Sequence, residues 1–210
     1  ETKNGITVKT DKNTYTCEGL VLSVGPWLSG LTSKNDLDSI FKVYRQVLYW
    51  FDISADYEQF SPKAFPIFIW ELKSDKNGIY GFPAVDGQDG GFKIACEQYD
   101  ETCNPQSVDR DVSENEIEAM FETYVAPYFP TSKNKCVKSA ICLYTVTPDG
   151  AFVIDRLPGY ENVILCSPCS GHGFKHSPAI GECIADLALT GESKIDLTSG
   201  FIFIFGKEYG

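Results

Sequence analysis

The order of apolar and polar positions along the chain predicts mainly short strands. Runs rich in branched and aromatic residues, a composition typical of strands, cover residues 6–25, 43–51, 65–72, 79–82 and 92–96. In the last third of the chain, residues 140–147 and 152–155 predict a hairpin around a Pro-Asp-Gly turn at 148–150, and residues 163–165 predict one more strand.

Helical spacing of apolar residues appears in two places. Ser113 and Glu116 form a capping box, and the helix that follows is predicted to end at Pro127 and Pro130. Its apolar positions recur at helical spacing: Ile117, Met120, Phe121, Tyr124 and Val125.

The second predicted helix starts at Pro178, with Ser177 as its cap and Gly191 as its C-terminal glycine. Its apolar face is predicted at Ile180, Ile184, Leu187 and Ala188. Strands and separate helices together indicate an α+β fold.

Composition and charge narrow the classes of function. The 210 residues are 43% hydrophobic and 22% charged, which is ordinary for a globular protein. The formal net charge of −11 argues against nucleic acid or an anionic membrane as a partner, since both require a basic surface. No apolar run is as long as a membrane span, and no signal peptide is recognised. An anionic substrate would therefore need a local positive site.

Such a local site is predicted in the loop at residues 169–175. Gly171 and Gly173 allow backbone conformations or close approaches that other residues do not, and Lys175 adds a positive charge. The helix predicted from Pro178 would direct its N-terminus toward this loop. A glycine-rich loop, a lysine and a helix N-terminus together favour bound negative charge.

The eight cysteines and two histidines favour free thiols over a metal site. Cys166, Cys169, His172 and His176 have ligand-type spacing, but the two halves adjoin, whereas structural zinc modules separate them by a longer segment. A redox Cys-x-x-Cys is also disfavoured, because Cys166 follows a strand rather than heading a helix. The sequence predicts no metal and a reducing compartment.

Lys93 and Cys142 are two further candidate site residues. If they have no functional role, Lys93 is an ordinary solvated lysine and Cys142 a packed thiol. Lys93 alternates with Phe92 and Ile94, so it is expected on the strand face opposite to theirs. If that face lines a cavity, desolvation would lower the pKa of the lysine.

Taken together, these residues resemble the monomeric sarcosine oxidase and N-methyltryptophan oxidase family of flavin amine oxidases. The resemblance covers about residues 14–195, and its most specific parts are Ser-Gly-His-Gly-Phe-Lys at 170–175 and Cys-Leu-Tyr-Thr at 142–145. Further matching segments, in the same order and spacing, lie at residues 20–27, 45–47, 65–66, 80–83 and 154–155.

The resemblance implies a role for each matching residue. Cys142 matches the cysteine bonded covalently to the 8α carbon of FAD, and Lys93 matches the lysine credited with activating oxygen. Lys175 matches the lysine that helps to hold the substrate carboxylate, and Tyr80 and Tyr144 match walls of the substrate pocket. The loop lying against the flavin ring corresponds to Gly171, His172, Gly173, Phe174 and Lys175.

The implied reaction oxidises an N-alkyl amino acid to an imine while O2 becomes H2O2. The implied architecture places strands of an FAD-binding domain at residues 1–31 and a mixed or antiparallel sheet with a flanking helix, the substrate domain, at 40–137. Residues 138–200 would return to the FAD domain, and 201–210 form an apolar tail that must be paired or buried. A cytoplasmic location is expected, or a peroxisomal one in a eukaryote.

Three departures from the family pattern bear on these expectations. The Gly-x-Gly-x-x-Gly fingerprint is absent, so the chain resembles the C-terminal half of such an enzyme, with a Rossmann half as its missing partner. Glu97 stands where sarcosine oxidases often have a histidine, which leaves fructosyl-amine or pipecolate substrates open. The tail is unlike the usual family ending. A non-catalytic module that binds small carboxylates or a partner half is the alternative.

Overall fold

The computed structural model describes residues 5–32, 37, 39–72, 78–197 and 202–203. The chain separates into two compact units: the first contains Glu1–Val43 and Tyr144–Gly210, and the second contains Tyr44–Leu143. Mixed helix and sheet content confirms the α+β class. Among the described residues, no helix has the length and apolar character needed to cross a membrane.

The second unit is built on a five-stranded sheet. Its strands are β4 (Lys42–Phe51), β5 (Phe68–Trp70), β6 (Ile79–Phe82), β7 (Phe92–Cys96) and β8 (Cys136–Val146), in the spatial order β5-β6-β7-β4-β8. The pairs β5–β6, β6–β7 and β7–β4 are antiparallel. Strands β6 and β7 have the predicted bounds, whereas the strand predicted over 65–72 is limited to β5.

The core of the second unit lies on one face of this sheet. Phe51, Ile79, Phe92 and Ile94 are fully buried there. Helix α3 (Glu114–Met120) contributes Met120 to the same cluster, and the short helix α2 (Tyr57–Phe60) contributes Phe60. This arrangement leaves the other face of the sheet available to the polar residues described below.

Helix α3 begins as predicted but ends differently. The Ser113 hydroxyl accepts from the Glu116 amide, and the Glu116 carboxylate accepts from the Ser113 amide, which confirms the capping box. A π-helical turn, Phe121–Val125, then replaces further α-helix before Pro127.

The first unit contains a hairpin and a mixed sheet. Strands β1 (Ile6–Lys9) and β2 (Thr14–Cys17) pair with each other in antiparallel fashion. The sheet contains β3 (Leu20–Leu22), β9 (Phe152–Arg156), β10 (Val163–Ser167) and β11 (Ile202–Phe203), in the order β11-β9-β10-β3. A short helix, α1 (Leu28–Thr32), follows β3, and the buried Leu28 and Val153 belong to one core cluster.

The hairpin predicted for 140–147 and 152–155 is wrong. Strand β8 lies beside β4 in the five-stranded sheet, while β9 pairs with β10 and β11. The turn itself exists, since Gly150 has φ +71° and its amide donates to the Thr147 carbonyl. Strand β9 has no edge left for β8, because β10 and β11 occupy both of its sides.

Helix α4 (Ser177–Thr190) corrects two expectations. Ser177 is its first helical residue and not its cap, because a 3-10 turn at Phe174–His176 runs directly into the helix. Cys183 is its buried residue, and Ala188 is exposed, so the apolar face follows 180, 183, 184 and 187. Gly191 ends the helix as predicted, with φ +84° and its amide donating to the Leu187 carbonyl.

The cysteines and the tail complete the fold. All eight cysteines are free, as predicted, but only Cys166 and Cys183 are buried. Residues 202–203 of the tail pair in parallel with β9, which confirms the expected pairing for that part. The remainder of the tail, residues 201 and 204–210, lies outside the described residues.

Candidate functional site

In the second unit, Lys93 lies between two aromatic rings on the sheet face opposite to the core. Its strand neighbours across β6 and β4 are Phe82 and Trp50. The Lys93 Nζ is 4.7 Å from the centre of the Phe82 ring and 5.6 Å from that of Trp50. Phe92 and Ile94 point into the core, which confirms the orientation predicted for this lysine.

A second lysine approaches the same indole ring. The Lys138 Nζ of strand β8 is 4.6 Å from the centre of the Trp50 ring. Desolvation lowers the pKa of Lys93, the charge of Lys138 lowers it further, and Cys142 opposes the shift. Neither lysine forms an ion pair with a carboxylate among the described residues. The face therefore carries unneutralised positive charge in a protein of net charge −11.

Cys142 and Tyr80 belong to this face as well. Tyr80 pairs with Ala95, two residues from Lys93, so strand periodicity places it on the Lys93 side. Cys142 is a half-buried free thiol on β8, close enough to Lys93 to influence its pKa. The structure thus brings together three of the predicted site residues, Lys93, Tyr80 and Cys142, within the second unit.

In the first unit, hydrogen bonds hold the predicted loop against the end of β8. The Ser170 amide donates to the Thr145 carbonyl at 2.8 Å, and its hydroxyl donates to the Ala151 carbonyl at 3.2 Å. Ser170 has φ +49°, an uncommon value for a non-glycine residue. Thr147 also donates to the Ala151 carbonyl. These contacts fix the backbone immediately before Gly171.

Both glycines of the loop lie so close to neighbouring atoms that a side chain would not fit. A Cβ on Gly171, which has φ +79°, would lie 2.8 Å from the Tyr144 ring. A Cβ on Gly173 would lie 1.5 Å from the Pro168 carbonyl oxygen. No side chain fits at either position without moving the loop, so Tyr144 and the loop form one packed arrangement.

The two histidines have structural partners in place of a metal. His172 stacks on the Phe152 ring at 4.7 Å, and its Nε2 lies 3.0 Å from the Gly150 carbonyl oxygen. His176 meets the same ring edge-on at 5.5 Å. In the part of the chain that the structure describes, no group of three His, Cys, Asp or Glu residues is arranged to hold a metal ion.

The end of the loop is open to its surroundings. Phe174 is 95% exposed, and Lys175 is also exposed and makes no ion pair with any described residue. A phenylalanine side chain with this exposure obtains almost no stabilisation by burial within its own unit. The loop therefore presents one aromatic ring and one ammonium group for contact with another group.

Glu97 lies apart from the Lys93 face. It follows β7 and lines a cavity of about 510 Å³ together with Tyr49 and Cys96, whose side chains belong to the core side of the sheet. Its Oε2 accepts a hydrogen bond from the Tyr99 hydroxyl at 2.7 Å. The structure therefore does not bring Glu97 onto the face that carries Lys93, Tyr80 and Cys142.

Sequence reasoning missed three residues that shape the site. Trp50, Phe82 and Lys138 surround Lys93, yet they lie on three other strands, and only the strand register joins them. The sequence indicates Ser170 only as the first residue of the motif at 170–175. No sequence signal identifies its backbone conformation, since the requirement comes from the turn at 147–151.

Comparison with known proteins gives the family. The family model described as FAD dependent oxidoreductase matches residues 1–187. Monomeric sarcosine oxidase of Streptomyces avermitilis is 41% identical over 192 residues, covering 90% of this chain and 48% of that protein. N-methyl-L-tryptophan oxidase of Salmonella enteritidis is 32% identical over 201 residues, covering 93% and 50%.

Among solved structures, the open form of NikD, described as an unusual amino acid oxidase essential for nikkomycin biosynthesis, has a TM-score of 0.66. It is 20% identical, with 93% of this chain and 51% of that chain covered, so it supports the fold alone. The chain spans about half the length of the curated relatives it matches. The family model, which matches residues 1–187, shows that the chain belongs to the FAD-dependent oxidoreductases.

Proposed function

We propose that this chain forms part of a flavin-dependent oxidase that converts secondary, N-alkyl amino acids into imines while O2 is reduced to H2O2. The observation that carries the proposal is the sheet face on which Lys93, held between Phe82 and Trp50, lies with the free thiol of Cys142. The sarcosine and N-methyltryptophan oxidases named above support the substrate class.

Each of the two units contains residues that fit a bound FAD. Cys142 is a half-buried, unpaired thiol that could hold the cofactor through Sγ. Gly171 and Gly173 leave the loop without side chains where its backbone turns, and His172 anchors the loop to Gly150. When bound, FAD supplies the acceptor for the hydride of the amino acid.

The protein's own groups provide charge and orientation. In the first unit, the exposed ammonium of Lys175 is suited to a substrate carboxylate, and the Tyr144 ring packs beside Gly171. In the second unit, Tyr80 is an aromatic residue on the Lys93 side of the sheet. Lys93 supplies positive charge where negative charge develops on oxygen, and its partial burial strengthens that effect. In the balanced reaction, the amino acid loses two electrons and two protons across its C–N bond, and O2 takes up both.

Two further parts of the proposal concern the surroundings of the chain. The remainder of the cofactor site is a dinucleotide-binding half, which the half-length match to the relatives supports. Eight free thiols support a reducing compartment, the cytoplasm, or the peroxisome in a eukaryote.

The test uses the full-length product of the gene that carries this sequence. Acid precipitation should give a yellow pellet, and Cys142→Ser should give a colourless one. Cys136→Ser, another half-buried thiol of strand β8, is the matched control and should leave the pellet yellow. A colourless wild-type pellet, or colour that survives Cys142→Ser, would overturn covalent attachment at this residue.

A peroxide assay tests the reaction and its rivals. Sarcosine, N-methyltryptophan, a fructosyl amine and pipecolate are compared, and turnover of an N-methyl amino acid is expected to be fastest. Faster turnover of a fructosyl amine or pipecolate would reassign the substrate. Binding of small carboxylates without peroxide from any of these amines would favour the non-catalytic module.

A further inference from the structure

The cavity that Glu97 lines lies in the second unit, on the core side of the sheet and away from the Lys93 face. Its floor consists of apolar and aromatic side chains from β4 and from the helical segment that begins with α3: Val47, Tyr49, Met120 and Tyr124. Its volume of about 510 Å³ is within the range of small-molecule sites. Nothing in the proposed oxidation uses this space.

Tyr49 gives this cavity a polar group without a protein partner. The residue is only 6% exposed, and its hydroxyl has no hydrogen bond to any residue that the structure describes. Burial, followed by the charge of Glu116, raises the pKa of Tyr49, so the hydroxyl stays protonated at neutral pH. The hydroxyl oxygen is open to the cavity, so a ligand there can form a hydrogen bond with it.

The charges around the cavity select the sign of the ligand. Glu116 is neutralised by Arg45 at 2.6 Å, and two further carboxylates, Glu97 and Glu101, line the cavity without an ion pair among the described residues. Arg110 lies close enough to the lining residue Cys103 to influence its pKa, so the three carboxylates face two cations and one negative charge is left over. One residual negative charge beside an aromatic floor favours a cation, because carboxylates attract it directly and ring faces attract it through their quadrupole.

We infer that this cavity is a second binding site, for a small organic ammonium compound with an apolar body. The ammonium group binds near Glu97 and Glu101, the apolar body packs on Met120 and Tyr124, and the Tyr49 hydroxyl hydrogen-bonds to the ligand. The site is separate from the proposed oxidation site, so a failure of one proposal leaves the other standing.

The experiment measures binding to the chain in the absence of FAD and oxygen chemistry. Benzylammonium is titrated by calorimetry, with benzyl alcohol and benzoate as neutral and anionic probes of the same shape. Benzylammonium should bind saturably, with a Kd on the order of 1 mM, and at least about tenfold more tightly than benzoate. Equal binding of the three probes, or no saturable binding of benzylammonium up to about 20 mM, would overturn the inference.

Variants locate the site. Glu101→Gln should weaken benzylammonium binding about 3- to 10-fold, and Tyr49→Phe about 2- to 10-fold. Glu118→Gln is the matched control, because Glu118 is an exposed carboxylate of α3 that does not line the cavity, and it should change nothing. Tyr49→Phe removes only an unpartnered hydroxyl, so its Tm should not fall. Binding unchanged by both cavity variants would refute this location.

Discussion

Replacement of Lys138 by methionine tests whether the charge state of Lys93 is set by its neighbours. Both ammonium groups lie against one indole ring, at 5.6 Å and 4.6 Å from its centre, so the nitrogens are at most 10.2 Å apart, the sum of the two distances. The titratable groups that share this face with Lys93 are Lys138, Cys142 and Tyr80. Lys138→Met removes one positive charge and frees the Trp50 ring, and both changes favour the protonated form of Lys93.

The magnitude follows from Coulomb's law. At the largest separation, about 10 Å, two unit charges repel by about 0.4 kcal/mol in bulk water and about 1.7 kcal/mol at an effective dielectric constant of 20, and a shorter separation raises both values. These energies correspond to about 0.3 and 1.2 pH units in the titration midpoint. Because Lys138 is exposed, solvent screens its charge and the lower half of this range is expected. The pKa of Lys93 should therefore rise in Lys138→Met, with a titration midpoint higher by at least about 0.3.

The assay is NMR of the chain labelled with 13C at lysine Cε, followed as a function of pH. Loss of one signal in Lys93→Arg assigns the resonance. Lys63→Met is the control for a general change of charge, since Lys63 lies exposed on a turn and is not among the groups that shift the pKa of Lys93. A Lys93 midpoint that stays in place or moves downward in Lys138→Met would refute the reasoning.

Three further predictions concern stability and the loop. Phe92→Ala, at a fully buried position, should lower the free energy of unfolding by about 3–5 kcal/mol, while Phe174→Ala should change it by less than about 0.5 kcal/mol; equal effects in urea unfolding would contradict these placements. Gly173→Ala should cost at least about 2 kcal/mol, because its Cβ would meet the Pro168 carbonyl oxygen at 1.5 Å; a variant as stable as the wild type in the same assay would refute this contact. Asp52→Asn should cost about 1–2 kcal/mol at pH 7, since the Asp52 carboxylate accepts from a backbone amide at 2.7 Å, which lowers its pKa. Because the pKa of Asp52 is lower in the folded than in the unfolded protein, its carboxylate stabilises the fold above the unfolded value near 4, and this stabilisation is lost as the pH falls through the folded pKa. The difference in stability between Asp52→Asn and wild type should therefore shrink below about pH 4. A difference independent of pH would contradict the assignment.

Local features of the sequence predicted much of the secondary structure. The bounds of β6 and β7, the capping box at Ser113 and Glu116, and the C-terminal glycine Gly191 follow from neighbouring residues alone. These features depend on interactions within a few positions of the chain, such as a side chain that accepts from a backbone amide three residues later. These local features therefore form in the same way whichever tertiary structure surrounds them.

The errors lie where local signals allow more than one partner. The Pro-Asp-Gly turn at 148–150 predicts a change of direction, and the turn is present, but it does not specify which strands will pair. Ser177 is a good cap by residue type, yet the 3-10 turn before it leaves no free helix end to cap. Residues distant in sequence decided the strand pairing, whereas the adjacent turn at 174–176 decided the start of the helix.

The sequence by itself determined the family, through the motifs at 142–145 and 170–175, and the face of β7 on which Lys93 lies. The tertiary structure alone decided that Trp50, Phe82 and Lys138 surround this lysine and that Glu97 lines a different cavity. The physical reason is that a strand's hydrogen-bonding groups accept any suitable neighbour. Their actual partners, and the side chains brought beside them, are selected by the packing of the whole sheet.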